Sequence, residues 1–342
     1  MKTRQKIKVL YPQGKVNSFT KAVENYFAIA HPQKIERIKF DVFYSSQNLQ
    51  PRKETYQRYQ KIISSLKPAF QRIIIEHNKL AKSRGYKNYF DFINKINGVP
   101  QSKVQLFFQK VDKTIENINK QLPLPKNLPR WYWSEFNIPN SSSLVSASKL
   151  IIPNDIYRLT KKIEPHFTQF ASQIKISDKI KDFYPRAKFD KKSKSVTIES
   201  FTQSNIYNVL IFAHELGRAL AMLKLANKGI DPYQKSIYWE KRQAYKFQFQ
   251  FEELAFSEKV KNTLREITLR NLLVALFQHD IYTNPHQDFD QAYARSINRI
   301  YPNKSKQDKN PFYVLENILI FRPGKTIIAA IIENELFSSP NA

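Results

Sequence analysis

The 342-residue chain contains no cysteine. Disulfides, thiol nucleophiles and cysteine-ligated metals are therefore excluded, and any metal would have to rely on the six histidines and the carboxylates. Glycine is scarce, six in all, which argues against a turn-rich β-sandwich and for helices. Acidic residues are few: 29 Asp and Glu stand against 56 Lys and Arg, a formal charge of +27. No stretch approaches the roughly 18 uncharged apolar residues of a membrane helix, so no membrane association is expected. The opening segment, Met1 to Pro12, lacks the apolar run that a signal peptide needs. The cytoplasm is the expected location.

What is present is an ample supply of core-forming residues, 42% hydrophobic and 13% aromatic. A chain of this composition buries a substantial core rather than remaining disordered. The positive charge favours anionic partners, either acidic proteins or nucleic acid. The basic residues are scattered, however, with only short doublets such as Lys161-Lys162 and Lys191-Lys192. That pattern belongs to a solvated face more than to a nucleic-acid footprint.

Apolar spacing predicts a mainly α-helical chain. A helix is expected from Ser18 to about Ala30. A second follows Pro51, with Ile62, Ile63, Leu66, Phe70, Ile73 and Ile74 on one face, a kink at Pro68, and Gly85 as its C-terminal cap. The stretch from Tyr86 predicts a helix that ends at Gly98. Ser102 is suited to cap the next, which carries Val104, Phe107, Val111, Ile115 and Ile118. The proline-rich segment Leu122–Pro129 is the expected boundary between a helical N-terminal region, 1–122, and a second helical region, 131–342, the two forming separate domains or one unit around a cleft. Asn154 is placed to cap a helix through Ile156, Leu159, Ile163, Phe167 and Phe170. Residues 187–201 alternate around a turn-like centre and predict a small antiparallel hairpin. Ser204 is expected to cap a helix reaching Asn227, with Gly229 just beyond its end. Further helices are expected near 236–262, 263–280, 288–300 and 311–337.

Within the Ser204–Asn227 helix lies Val209-Leu-Ile-Phe-Ala-His-Glu-Leu-Gly-Arg-Ala-Leu220. In zinc peptidases two histidines four residues apart sit one helical turn from each other, so both imidazoles reach one metal ion. The glutamate after the first histidine then lies beside the metal-bound water and takes its proton. Here His214 and Glu215 are present, but Arg218 stands at the second histidine position. Gly217 permits close backbone approach beside them. A His-Glu pair on an apolar helix also arises by chance, so the surrounding segments matter.

Those segments, with the motif, resemble the thimet oligopeptidase / oligoendopeptidase F family of zinc metallopeptidases. Besides His214-Glu-Leu-Gly, they are Leu80-Ala-Lys-Ser-Arg-Gly-Tyr-Lys-Asn-Tyr-Phe-Asp-Phe, Pro129-Arg-Trp-Tyr-Trp, Phe277-Gln-His-Asp-Ile-Tyr-Thr-Asn-Pro285 and Asn310-Pro-Phe-Tyr-Val-Leu. The resemblance runs from about residue 50 to 337. It implies a helical zincin-like fold with a small antiparallel β element beside the His-Glu helix. It also implies a third zinc ligand, a glutamate some two dozen residues after the motif on a second helix. Glu240, 26 residues after His214 and on a helix that Ser236 can cap, fits that spacing best; Glu253, 39 residues after, is the alternative. The family's oxyanion-stabilising histidine would fall on Lys306 and its tyrosine near Asn317, leaving Tyr313 as the nearest tyrosine. The glycine-rich substrate loop has no counterpart, since Phe183-Tyr-Pro-Arg passes almost directly into Lys188-Phe-Asp.

Arginine is not a metal ligand: its guanidinium stays protonated and offers no lone pair. The expectation is a shortened family member with a degenerate site. It would be non-catalytic, would bind no metal and would keep a cleft for a peptide or protein. Arg218 would lie in the former zinc position, within hydrogen-bonding reach of Glu240 or Glu253. Two alternatives stay open. One is an active zinc peptidase that recruits another ligand such as His279 or His286, with Glu215 as general base. The other is a basic nucleic-acid-associated protein.

Overall fold

The computed structural model describes residues 67–122, 153–177, 186–199, 206–301 and 324–338. The helix expected at 18–30, the Leu122–Pro129 connector beyond Leu122, the Trp131 segment, Lys306, Tyr313 and Asn317 lie outside the described residues. The described chain is predominantly helical, with one three-stranded sheet. In chain order it runs α1 (67–83), α2 (Tyr89–Ile96), α3 (Gln101–Gln121), α4 (Pro153–Ile163), α5 (Phe167–Ala171), β1 (Ile174–Ser177), β2 (Arg186–Asp190) and β3 (Ser195–Glu199). There follow α6 (Ile206–Asn227), a 3₁₀ turn (Pro232–Gln234), α7 (Ile237–Ala255), α8 (Glu258–Thr283), α9 (Phe289–Ile300) and α10 (Lys325–Ser338). Among the described residues no helix is long and apolar enough to cross a membrane.

The chain clusters into two compact units that interleave along the sequence. The described residues of the first are 67–96, 108–122, 267–301 and 324–330; those of the second are 97–107, 153–177, 186–199, 206–266 and 331–338.

In the first unit, Phe70, Ile73 and Ile74 of α1 are fully buried, as the helical spacing predicts. Gly85 closes α1 at φ +80°, with Gly85 N–H donating to Lys82 C=O and Tyr86 N–H to Ala81 C=O, both at 3.0 Å. This paired closure needs a left-handed residue, which glycine adopts without steric cost. Asn88 starts α2 by accepting from Asp91 N–H at 3.0 Å. His77 lies in the core, stacked on Tyr89 with ring centroids 4.0 Å apart and hydrogen-bonded through Nδ1 to the Tyr282 hydroxyl at 2.8 Å. Burial lowers its pKa to about 3.

The expected stripe Val104, Phe107, Val111, Ile115 and Ile118 is buried throughout. Helix α3 begins at Gln101, before Ser102. Its first turn is closed by the Pro100 carbonyl, which accepts from Lys103 N–H at 2.9 Å, so Ser102 lies inside the helix. The single helix expected over 154–170 is two. Pro165 has no N–H to donate and clashes with the preceding turn, which separates α4 from α5. The helix expected over 236–262 stops at Ala255, and α8 starts at Glu258. Ser257 and Glu258 are the residue types that favour a helix N-terminus, and Ser257 C=O accepts from Lys261 N–H at 3.0 Å.

In the second unit the predicted hairpin is β2 against β3, antiparallel, pairing Ala187 with Ile198 and Phe189 with Val196. A third strand, β1, pairs parallel to β3 on its other side and gives the order β1-β3-β2. Its four residues are too few for alternation to stand out in sequence. Beneath the sheet, Val196 and Ile198 of β3 pack with Ala213, Leu216, Ala219, Leu220 and Leu223 of α6, and with Phe247 and Phe251 of α7. Each large side chain buried here contributes roughly 1.5–3 kcal/mol. Glu335 of α10 is buried and accepts from Lys103 Nζ (2.8 Å), Arg242 Nη2 (2.9 Å) and the Tyr238 hydroxyl (2.9 Å). Burial alone would raise its pKa, but Arg242, Lys103 and Tyr238 outweigh that and hold it at about 2.

Candidate functional site

Helix α6 begins after the sheet and carries His214, Glu215 and Arg218 within little more than one turn. It ends at Gly229 (φ +73°), where Ile230 N–H reaches back to Leu225 C=O at 3.0 Å. The 3₁₀ turn then reverses the chain. Ser236 caps the return helix α7 by accepting from Trp239 N–H at 3.1 Å. Thus α7 lies against α6, and the two approach closely at Gly217. A Cβ built there would lie 2.4 Å from Phe247 Cβ and 3.2 Å from Ala244 C=O. Hydrogen is the only side chain that this approach admits.

The crossing brings Glu240, in the first turn of α7, against Arg218. The Arg218 Nε forms an ion pair with Glu240 Oε1. Its Nη1 reaches Glu215 Oε2 at 3.3 Å. The three side chains are mostly enclosed: 25% of the Arg218 side chain is exposed, 21% of Glu240 and 11% of Glu215. Such burial puts the cluster beyond an ordinary surface pair, where solvent leaves little net attraction. Glu215 is held from a second direction by the Ala187 N–H of β2, which donates to Oε2 at 2.6 Å. Both bonds fall on the same oxygen, Oε2, so the guanidinium and the backbone amide hold one side of the carboxylate.

His214 faces a different set of groups. Its Nδ1 donates to Gln248 Oε1 at 2.9 Å, and Gln248 Nε2 donates to Glu252 Oε1 at 2.7 Å. An amide oxygen only accepts, so the ring proton is assigned to Nδ1. The Tyr245 ring meets the imidazole edge-on at 4.8 Å. Burial, followed by the charges of Lys241 and Arg218, lowers the His214 pKa to about 3, against an opposing contribution from Gln248. The imidazole is neutral at pH 7. Glu252 is buried, and loss of hydration raises its pKa to about 7, which the Gln248 hydrogen bond only partly offsets.

The structure thus gathers His214, Glu215, Arg218 and Glu240 at one helix crossing. It does not bring Glu253 there: that side chain is exposed and pairs with Lys261 Nζ at 2.8 Å. His279 packs in the first unit against Phe90 and Phe108, with ring centroids 5.0 and 4.5 Å away. His286 is exposed in the turn before α9. Tyr245, Gln248, Glu252 and the Ala187 amide have no part in the sequence-based expectation. One available signal is the four-residue spacing Glu240, Ala244, Gln248, Glu252, which places all four along one side of α7.

A catalytic zinc site needs three lone-pair donors and an open position. Here the fourth residue after His214 is a permanent cation, and both carboxylates are engaged by it. Among the described residues no three His, Asp or Glu side chains form a group able to hold a metal ion. As arranged, these side chains do not fit zinc.

No protein-family model and no curated protein sequence matches this chain. Solved structures do. Pz peptidase A, in a structure with an inhibitor, aligns with a TM-score of 0.58 at 14% identity over 95% of this chain and 65% of its own length. A protein assigned as an oligoendopeptidase F aligns at 0.55 and 13% over 96% of this chain and 66% of its own. A protein from Chlamydophila abortus assigned as a peptidase aligns at 0.57 and 13%, over 89% and 58%. The chain therefore spans about two thirds of the length of the first two structures. At this identity the likeness is one of fold: a helical peptidase fold of the oligoendopeptidase type.

Proposed function

We propose that this chain is a non-catalytic relative of the oligoendopeptidase F-like metallopeptidases, in which the Arg218 guanidinium stands in place of the metal ion. The observation that carries the reading is the Arg218 bridge between Glu215 and Glu240. A divalent ion at a helix crossing draws together carboxylates from two elements. A guanidinium does the same through its fork of donors, without a lone-pair ligand and without activating water. Glu215, the residue at the general-base position, is paired with Arg218 and tied through the same oxygen to the Ala187 amide. The retained role is binding, and a peptide or a protein segment is the class of partner that a peptidase scaffold suits best.

The test is hydrolysis of a quenched fluorescent peptide library by the purified chain, with and without added zinc, beside the Glu215→Gln variant. The expected result is no cleavage above background by either protein. Cleavage by the parent chain that Glu215→Gln abolishes would mean that the protein is a working peptidase.

A further inference from the structure

Lysines that are scattered along the sequence of the second unit converge at one end of its hairpin. The turn between β2 and β3 carries Lys191, Lys192 and Lys194. The segment that leaves α6 and enters α7, 228–235, carries Lys228 and Lys235. The two segments touch. Lys191 Nζ donates to Asp231 Oδ2 at 2.6 Å, and the Phe189 and Tyr233 rings meet edge-on with centroids 6.3 Å apart. Five lysines therefore share one surface with two carboxylates, those of Asp190 and Asp231.

Both carboxylates are already engaged. Asp190 accepts from Lys192 N–H and from the Ser193 hydroxyl, each at 2.9 Å. Asp231 accepts from Tyr233 N–H at 3.0 Å as well as from Lys191. Lys192, Lys194, Lys228 and Lys235 are exposed, and none of them pairs with an acid among the described residues. On the same surface stands Tyr233, 50% exposed. It is fixed in place. Phe189 N–H donates to its hydroxyl at 3.2 Å, the hydroxyl donates back to Phe189 C=O at 2.9 Å, and the adjoining Pro232 is buried.

A rigid, half-open aromatic ring among unpaired ammonium groups suits one class of anion in particular. In a single-stranded nucleic acid the phosphates meet the lysines and an unstacked base lies on the ring. A duplex keeps its bases stacked and leaves the ring without a partner. A membrane needs an apolar face to insert, and these two segments offer a single isoleucine, Ile230. We propose that the hairpin turn and the 228–235 segment form a binding surface for single-stranded nucleic acid, with Lys192, Lys194, Lys228 and Lys235 on the phosphates and the Tyr233 ring against a base. Contact through phosphates and base faces is tolerant of sequence, so no fixed motif is required. The surface uses none of the residues gathered around Arg218 and stands independently of the peptide-binding reading.

The experiment is fluorescence anisotropy of the full chain with a fluorescein-labelled oligothymidylate of about a dozen nucleotides, followed from about 50 to 200 mM salt. The expected result is binding whose log affinity falls against log salt with a slope of about −2 to −3, as three or four neutralised phosphates require. The double variant Lys192→Gln/Lys235→Gln should flatten that slope by about 1.4. Tyr233→Ala should weaken binding about tenfold, whereas Tyr233→Phe, which keeps the ring, should bind as the parent does. A charge-matched pair of exposed lysines in the first unit, Lys82→Gln/Lys87→Gln, should leave affinity and slope as they are. No binding at the lowest salt overturns the proposal. So does equal weakening by the two lysine pairs, which would mean attraction by net charge alone. Parent affinity in Tyr233→Ala, or tighter binding of a duplex, of polyglutamate or of phosphatidylserine vesicles than of the oligothymidylate, overturns the assignment to a single strand.

Discussion

Replacing Arg218 by methionine keeps much of the side chain's length and removes its charge. Glu215 and Glu240 are then left facing one another without the cation between them. The gross attraction between Arg218 and Glu215 at 3.3 Å is about 5 kcal/mol if the effective dielectric is near 20. Desolvation and side-chain ordering cancel most of it, and partial exposure weakens it further. Arg218 and Glu240 form a second ion pair that is likewise part-buried, so their coupling should be about 1–2 kcal/mol, above the roughly 0–1 kcal/mol of exposed pairs and below a fully buried one. Arg218→Met alone should cost about 2–3 kcal/mol, because it also strands two carboxylates. The assay is a double-mutant cycle of Arg218→Met and Glu240→Gln, read by urea unfolding at pH 7 through helical circular dichroism. The double variant should be less destabilised than the sum of the two singles by about 1–2 kcal/mol. Additivity to within about 0.3 kcal/mol would refute the reasoning, since the guanidinium would then have no energetic link to Glu240.

Further outcomes follow from the same helix crossing and from the buried titratable groups. Gly217→Ala should lower stability by about 2–3 kcal/mol in the same unfolding assay, although alanine is the better helix former, because its methyl group would overlap Phe247. Glu252 has a pKa raised to about 7 by burial. The folded state thus holds a proton that the unfolded chain releases near the ordinary value of about 4.3. Its contribution is fully present below that value and is lost as pH rises through 7. Glu252→Gln should therefore stabilise the protein by about 2–3 kcal/mol at pH 8 and leave it unchanged near pH 4, as unfolding curves at both values would reveal. His77 and His214 act in the opposite sense. Burial holds both near 3, so stability should fall as pH drops from about 6.5 towards 3, and neither ring should titrate between pH 5 and 8 when followed by proton NMR.

Much of the scaffold is legible in the sequence because its signals are local. The stripe from Val104 to Ile118, the glycines that close α1 and α6, and the Ser236 cap each depend on a few neighbouring residues and on helix geometry alone. The hairpin is legible for the same reason. Strand β1 is not, because its pairing with β3 is parallel and long-range. The split at Pro165 and the break at Ser257 fall where a local stop or start signal outweighs continuous apolar spacing. At the site, the motif marks His214, Glu215 and Arg218, and spacing favours Glu240 over Glu253. What spacing does not convey is the direction of each side chain. That His214 turns to Gln248, and that Glu215 is held by the Ala187 amide, depends on how a strand and a second helix close around α6.

Metal content tests most directly whether a guanidinium fills the position of a divalent ion. The purified chain, incubated with excess zinc and then desalted, should contain far less than one zinc per chain by elemental analysis, whereas Arg218→His treated in the same way should retain about one. Stoichiometric, tightly held zinc in the parent chain would contradict the account.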